Sequence, residues 1–256
     1  MTEHMPIFFI GHGNPMNAIE DNEFSRAWIK AAADLPVPRA IVCVSAHWES
    51  VGTEVSSATK PRTIHDFYGF PQEMYALQYP APGLPELAEE VSGMTDSIPI
   101  RLNPDRGLDH GSWSVLMRMF PEANIPVIQV SLDQTQSNQF HYDLGSQLKK
   151  LRDEGVLVIG SGNIVHNLPM MVWEDTAFPW AKEYDEKIKE WILADDHQSI
   201  IHYEEYGRPA FLSVNTGEHY EPLLYVLGMK EPGDPVQFFA DKVWGGSMSM
   251  RSLRIG

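Results

Sequence analysis

Of the ten histidines in this chain, five stand beside Gly, Ser, Asn or Glu where an apolar run or a helical stretch begins or ends: His12, His47, His110, His166 and His219. A neutral imidazole binds zinc, copper or iron through one ring nitrogen. The same ring titrates near neutrality, so such residues serve as metal ligands or as acid/base groups. Two histidines and a carboxylate around Fe(II), or three histidines around zinc, leave coordination positions open for a substrate. His12 and His47 are two candidate ligands; the third is His219 or its neighbour Glu218, and spacing does not choose between them. Either set leaves net positive charge on a divalent metal and favours a chelating, anionic substrate. His65, in Thr63-Ile64-His65-Asp66-Phe67, reaches such a site only from a loop. His4, His141, His197 and His202 sit in polar or terminal contexts and read as solvated surface.

Three apolar runs position these residues. Ile41 to Trp48 carries His47 near its end, Ile7-Phe8-Phe9-Ile10 leads into Gly11-His12-Gly13, and Val156-Leu157-Val158-Ile159 leads through Gly160-Ser161-Gly162-Asn163 to His166. Continuous Val/Ile/Leu/Phe runs mark buried parallel strands, and ligands of open α/β sheets bind beyond the strands' carboxyl ends, so the histidines are expected to converge there. Helical spacing covers residues 22–35, 84–94, 138–152, 180–193, 200–206 and 222–227, and another helix opens at Asp109-His110-Gly111-Ser112-Trp113. For His110 the alternative to a catalytic role is an imidazole merely packed at that helix start. Residues 98–102 and 126–132 read as strands, and 237–239 and 248–255 as antiparallel additions at the sheet edge. Residues 49–83 hold few helical signals apart from 72–77 and are punctuated by proline and glycine, which suits a lid or binding wall.

Composition narrows the class. A chain of 256 residues fits one α/β domain spanning 1–256, a central mostly parallel sheet flanked by helices. A formal charge of -16 with only 19 Lys and Arg disfavours nucleic acid and anionic membrane as partners. The lone cysteine, Cys43, lies inside an apolar run and reads as a buried, reduced thiol. The N-terminus has no basic region, and no apolar stretch approaches the roughly 18 residues a membrane span needs, so a cytoplasmic location is expected. Gly160-Ser161-Gly162-Asn163-Ile164-Val165 follows a strand but has Val where the dinucleotide fingerprint needs a small residue. Phosphate loops, serine nucleophile elbows and His-Glu-x-x-His helices are absent from the sequence.

Seven motifs in order resemble the 4,5-DOPA extradiol dioxygenase family of class III extradiol ring-cleaving enzymes: Gly11-His12-Gly13-Asn14-Pro15-Met16, Ser45-Ala46-His47-Trp48, Ile64 to Pro71, Tyr79-Pro80-Ala81-Pro82-Gly83, Leu108 to Trp113, Gly162 to Asn167 and Glu218-His219-Tyr220. The resemblance runs from about residue 7 to the C-terminus. It implies one mononuclear divalent metal held by His12, His47 and His219, with Fe(II) expected for activity and Zn(II) able to occupy the site. His166 is implied as acid/base or an additional metal contact. The implied reaction opens a DOPA-like catechol ring with O2 to a semialdehyde; His110 and His65 would contact substrate or O2. Specificity is expected in the 49–83 loop and near Trp113 and Tyr220, whose aromatic faces either flank the ring or belong to the core. The broader class more often uses a glutamate as third ligand, which keeps Glu218 in play. The implied partners are a small-molecule catechol and O2, with a homo-oligomer allowed. A zinc-dependent hydrolase using the same histidines, and a redox-inactive binding module on the same fold, are the competing expectations.

Overall fold

The computed structural model describes residues 4–95 and 97–256; Met1 to Glu3, where the N-terminal stretch discussed above begins, and Asp96 lie outside the described residues. In chain order the first half contains β1 (Ile7–Gly11), α1 (Glu23–Ala32), β2 (Ala40–Ser50), β3 (Thr53–Ser56), α2 (Gln72–Ala76), α3 (Pro85–Ser92), β4 (Ile100–Asn103), α4 (His110–Met119) and β5 (Val127–Asp133). The second half contains α5 (Asn138–Leu148), β6 (Val156–Gly162), α6 (Pro179–Leu193), α7 (His197–Ile201), α8 (Arg208–Ser213), α9 (Glu221–Gly228), β7 (Val236–Phe239), β8 (Val243–Trp244), β9 (Met248–Ser249) and β10 (Ser252–Ile255).

Eight strands form one sheet in the order β4-β3-β5-β2-β6-β1-β10-β7. The four central strands, β5-β2-β6-β1, are parallel. On one side β10 adds antiparallel to β1 and β7 antiparallel to β10; on the other, β3 runs antiparallel to β5. Alternation of side chains along each strand feeds two cores. Ile7, Phe9, Val42, Val44, Val156 and Val158 pack with residues of α3, α5, α6 and α9. Phe8, Ile10, Ile41, Leu157 and Ile159 pack with Phe24 and Trp28 of α1 and Trp113, Leu116 and Met119 of α4. Because both faces are covered, these strands read as unbroken apolar runs, and each such side chain contributes about 1.5–3 kcal/mol on burial.

Several expectations need correction. Residues 49–83 are not all loop: β2 continues to Ser50 through a register shift after Val44, and β3 follows at once. The tail alternation of 248–255 is split, since β9 pairs with β8 in a separate two-stranded sheet and only β10 joins the main one. The helix from 138 turns into a 3-10 segment at Lys149, and the one expected over 200–206 is α7 followed by a 3-10 turn. His141 is fully buried rather than solvated, because α5 packs along α9 and carries the ring inward against Tyr225. His197 is half-buried with its Nδ1 at 2.8 Å from the Tyr142 hydroxyl. Among the described residues no helix is long and apolar enough to cross a membrane.

Candidate metal centre

β1, β6 and β2 are neighbours, so their carboxyl ends lie side by side, and five imidazoles gather there. His12 directly follows β1, and its ring centroid is 5.0 Å from that of His47 and 5.3 Å from that of His219. His47 and His219 are 5.0 Å apart, which closes a nearly equilateral triangle. His110, the first residue of α4, lies 3.9 Å from His47. His166 stacks on His219 at 3.5 Å with planes 8° apart.

Local sequence explains how each ring is delivered. Asp109 caps α4 by accepting from the Ser112 N–H, and its buried carboxylate also accepts from Ser45 Oγ (2.7 Å), Gln129 Nε2 (2.8 Å) and Arg106 Nη2 (2.6 Å). The start of α4 is thereby tied to β2 and β5. Gly111 permits the approach: a Cβ there would stand 2.5 Å from Ser45 Oγ and 3.0 Å from His47 Cδ2. His219 precedes α9, and its carbonyl accepts from the Asn163 N–H at 2.7 Å, linking it to the end of β6.

Hydrogen bonds assign the tautomers. Ser161 Oγ donates to the Gly111 carbonyl (2.5 Å), so it must accept from His12 Nδ1 (3.0 Å), leaving His12 Nε2 as a lone pair. Glu218 Oε1 accepts from His219 Nδ1 at 2.9 Å. Asp66 Oδ2 accepts from His110 Nδ1 at 2.9 Å and lies 3.5 Å from His47 Nδ1, while Asp66 Oδ1 accepts from the His110 backbone N–H. The donor nitrogens are therefore turned outward and the Nε2 atoms inward.

Burial, followed by the neighbouring imidazoles, lowers the pKa of His12 and His219 well below the ordinary value. Burial likewise lowers His47 and His166 to about 4. Burial opposes ionisation of Asp66, but its hydrogen bond and charge interaction with His110 outweigh this and hold the carboxyl at about 2. At neutral pH His12, His47, His166 and His219 are therefore uncharged imidazoles, with the Asp66 carboxylate behind them. This donor set fits a divalent metal. His12 Nε2 and His47 Nε2 face each other at 3.1 Å, and two nitrogens each about 2.1 Å from one ion would stand roughly 3.0–3.4 Å apart. Ligand-type atoms of His12, His47 and His110, and of His166, Glu218 and His219, form two groups, each within 4.8 Å.

Not every expected residue joins the cluster. Trp113 is fully buried with its indole N–H donating to the Ile64 carbonyl (2.8 Å), and Tyr220 is buried with its hydroxyl donating to the Ile200 carbonyl (2.9 Å). Both are core residues rather than faces open to a ring, because helix packing turns them away from the strand ends. His65 is held by the Leu77 carbonyl at 2.9 Å and packs against Phe67, Tyr75 and Trp113. The aromatic presented to the cluster is Phe67, edge-on to His110 at 5.6 Å. Asp66, Ser161 and Phe67 were not singled out from sequence; the adjacency of Asp66 and Phe67 to His65 was the available signal for two of them.

The family model described as the catalytic LigB subunit of aromatic ring-opening dioxygenase matches residues 1–243. The chain is 43% identical over 261 residues to 4,5-DOPA dioxygenase extradiol of Escherichia coli (strain K12), covering 100% of this chain and 96% of that protein. It is 35% identical to 4,5-DOPA dioxygenase extradiol of Beta vulgaris, covering 96% of this chain and 95% of that one. The crystal structure of an uncharacterized protein from Escherichia coli K12 matches with a TM-score of 0.86 at 39% identity, over 98% of this chain and 100% of that chain.

Proposed function

Because the chain belongs to the LigB family of aromatic ring-opening dioxygenases and is an extradiol dioxygenase, we propose that it opens a DOPA-like catechol beside its two hydroxyls, consuming O2 and giving a semialdehyde, at one divalent metal held by His12, His47 and His219. The observation that carries this assignment is the 3.1 Å approach of two neutral Nε2 atoms, with His219 closing the triangle and Glu218 engaged on its Nδ1. Glu218 thus orients the third ligand rather than replacing it, as outer partners of metal-bound histidines do. Fe(II) held by these residues would supply Lewis acidity toward the catechol and the redox activity that lets O2 react with the ring.

The protein's own groups do the rest. His166 is the base: its ring stacks on that of His219 at 3.5 Å, beside the triangle of ligands rather than at one of its corners. Sequence suggested an imidazole titrating near neutrality; burial instead holds it at about 4 in the metal-free site. It is therefore unprotonated at pH 7 and ready to accept a phenolic proton. Asp66 keeps the Nδ1 proton of His110 in place and leaves Nε2 directed at the bound substrate or O2. Phe67, in place of Trp113 and Tyr220, offers an aromatic edge to the ring.

The test is anaerobic reconstitution with Fe(II), addition of L-DOPA, and admission of air, reading O2 uptake and the yellow absorbance of a semialdehyde. Coupled O2 loss and colour are expected. Iron-loaded protein that consumes no O2 with L-DOPA, caffeate or protocatechuate would sink the proposal, and hydrolytic activity with zinc would replace it.

A further inference from the structure

The segment Ser247–Ser252 takes no part in the reading above, yet every residue in it is buried and it is bonded to the loops that carry His12 and His166. Toward His166, the Ser249 N–H donates to the Val165 carbonyl (2.9 Å), Asn163 Nδ2 donates to the Ser249 carbonyl (2.7 Å), and the Asn167 N–H donates to the Ser247 carbonyl (3.1 Å). His166 itself forms a bridge with Met248. Toward His12, the Gly11 N–H donates to Ser252 Oγ at 3.0 Å, and Ser252 Oγ donates to the Met250 carbonyl at 3.0 Å. A Cβ on Gly11 would stand 2.7 Å from the Met250 carbonyl carbon, so the two backbones touch. The segment is a strap laid across both loops.

Arg251 holds the strap in register. Its Nε and Nη2 donate to Asp185 Oδ2 of α6 at 2.9 and 2.5 Å, Nη2 also donates to Glu186 Oε1 at 2.6 Å, and Nη1 pairs with Asp241. The other oxygen of Asp185 accepts from Ser249 Oγ at 2.5 Å, and Ser249 Oγ accepts from the Arg251 N–H at 3.2 Å. Arg251 and Asp185 are both about 1% exposed. Replacing a buried pair of this kind by apolar side chains is often neutral for stability, so net stabilisation does not explain why it is there. A planar fork closed on one carboxylate does explain a fixed register.

We infer that Arg251 is a positioning residue for the reaction: by locking Ser249 and the strap to Asp185, it sets the separation of the His12 and His166 loops. The inference rests on the proposed roles of His12 as ligand and His166 as base. A misplacement of about 1 Å can cost on the order of 100-fold in rate, and loss of a group that directly orients a metal-bound histidine costs about 10- to 100-fold in affinity or activity, which bounds what a residue acting through such groups can cost.

The test uses the full chain with Co(II) as the metal probe. Asp185→Leu/Arg251→Met should keep the urea midpoint of the wild type. Its Co(II) affinity should fall about 10-fold or more, with a shifted visible band, and kcat on L-DOPA with Fe(II) should fall about 10- to 100-fold while KM stays within about threefold. Arg251→Lys should recover part of the loss. If the double variant does not fold, Ser249→Ala, which removes one hydroxyl and no charge, must show the same three changes in smaller measure. A folded variant whose Co(II) affinity, spectrum and kcat are all unchanged overturns this inference alone. A wild-type chain that binds no Co(II) overturns the metal reading and this inference together.

Discussion

The two ends of the parallel strands bury polar side chains of opposite temper. At the amino end Arg152 is fully buried, with Nε donating to the Met5 carbonyl (3.0 Å) and Nη1 donating to the Met229 carbonyl (3.1 Å) and Asp234 Oδ2 (2.6 Å). A guanidinium does not give up its proton in a protein, so this end keeps its charge and must pair it. At the carboxyl end a buried charge such as Asp109 is likewise paired, with Arg106, but His12, His47, His166 and His219 escape the cost of burial by shedding the proton and exposing a lone pair. A site for a metal is built where the buried base is neutral, and a staple where it stays charged.

The largest effect expected from breaking this contrast is at the carboxyl end. His12→Ala and His47→Ala should each weaken metal binding by more than about 100-fold, because even outer partners cost 10- to 100-fold, with only a modest change in the urea midpoint of the metal-free chain. A full equivalent of metal retained after gel filtration would remove that residue from the ligand set. His166→Ala should keep most of its Fe(II) but turn over about 10²- to 10⁴-fold more slowly, recovering as pH rises and catechol ionises unaided. Metal content measured beside the pH-rate profile decides this; a metal-free variant would make His166 a ligand and move the base to His110.

At the amino end, Arg152→Met leaves Asp234 without its cation and should cost about 3–5 kcal/mol of stability, while the folded fraction binds metal as the wild type does. Urea titration beside metal analysis separates the two readouts. Glu218→Ala, which frees His219 Nδ1, should retain metal but bind it about 10-fold or more weakly; complete loss would favour Glu218 as the ligand.

The smallest effect sharpens the contrast by pH. His47 and His166 titrate at about 4 in the folded, metal-free chain against about 6.5 when unfolded. Between those values the unfolded chain binds more protons, so stability rises with pH across this window and is lost as pH falls through it. Hydrogen exchange of the metal-free protein at pH 5 should therefore quicken at Gly162 and Asn163 before it does at Met5.

The motif positions alone pointed to the five histidines, and the unbroken apolar runs before His12, His47 and His166 pointed to a parallel sheet, because strands covered on both faces have no polar positions to interrupt them. The same logic failed at His141. Flanked by Phe140 and Tyr142, which themselves pack against the core, it lies on the stripe that α5 turns inward against Tyr225. Trp113 and Tyr220 stood open between ring contact and core, and packing chose the core: Trp113, three residues after His110 on α4, donates to the Ile64 carbonyl, and Tyr220, just before α9, donates to the Ile200 carbonyl.

What sequence determined by itself was the four central apolar strands and the residue types at their ends, since both follow from local pattern. Strand order and chemical state were decided only in three dimensions. β1, β6 and β2 come from distant parts of the chain, and their adjacency is what brings the imidazoles within reach of one ion. Whether each ring offers Nε2 depends on a partner remote in the chain for His12 and His110: Ser161 lies 149 residues from His12, and Asp66 lies 44 residues from His110. An imidazole's proton is placed by whichever acceptor packing sets beside it, and only the packed chain sets those acceptors.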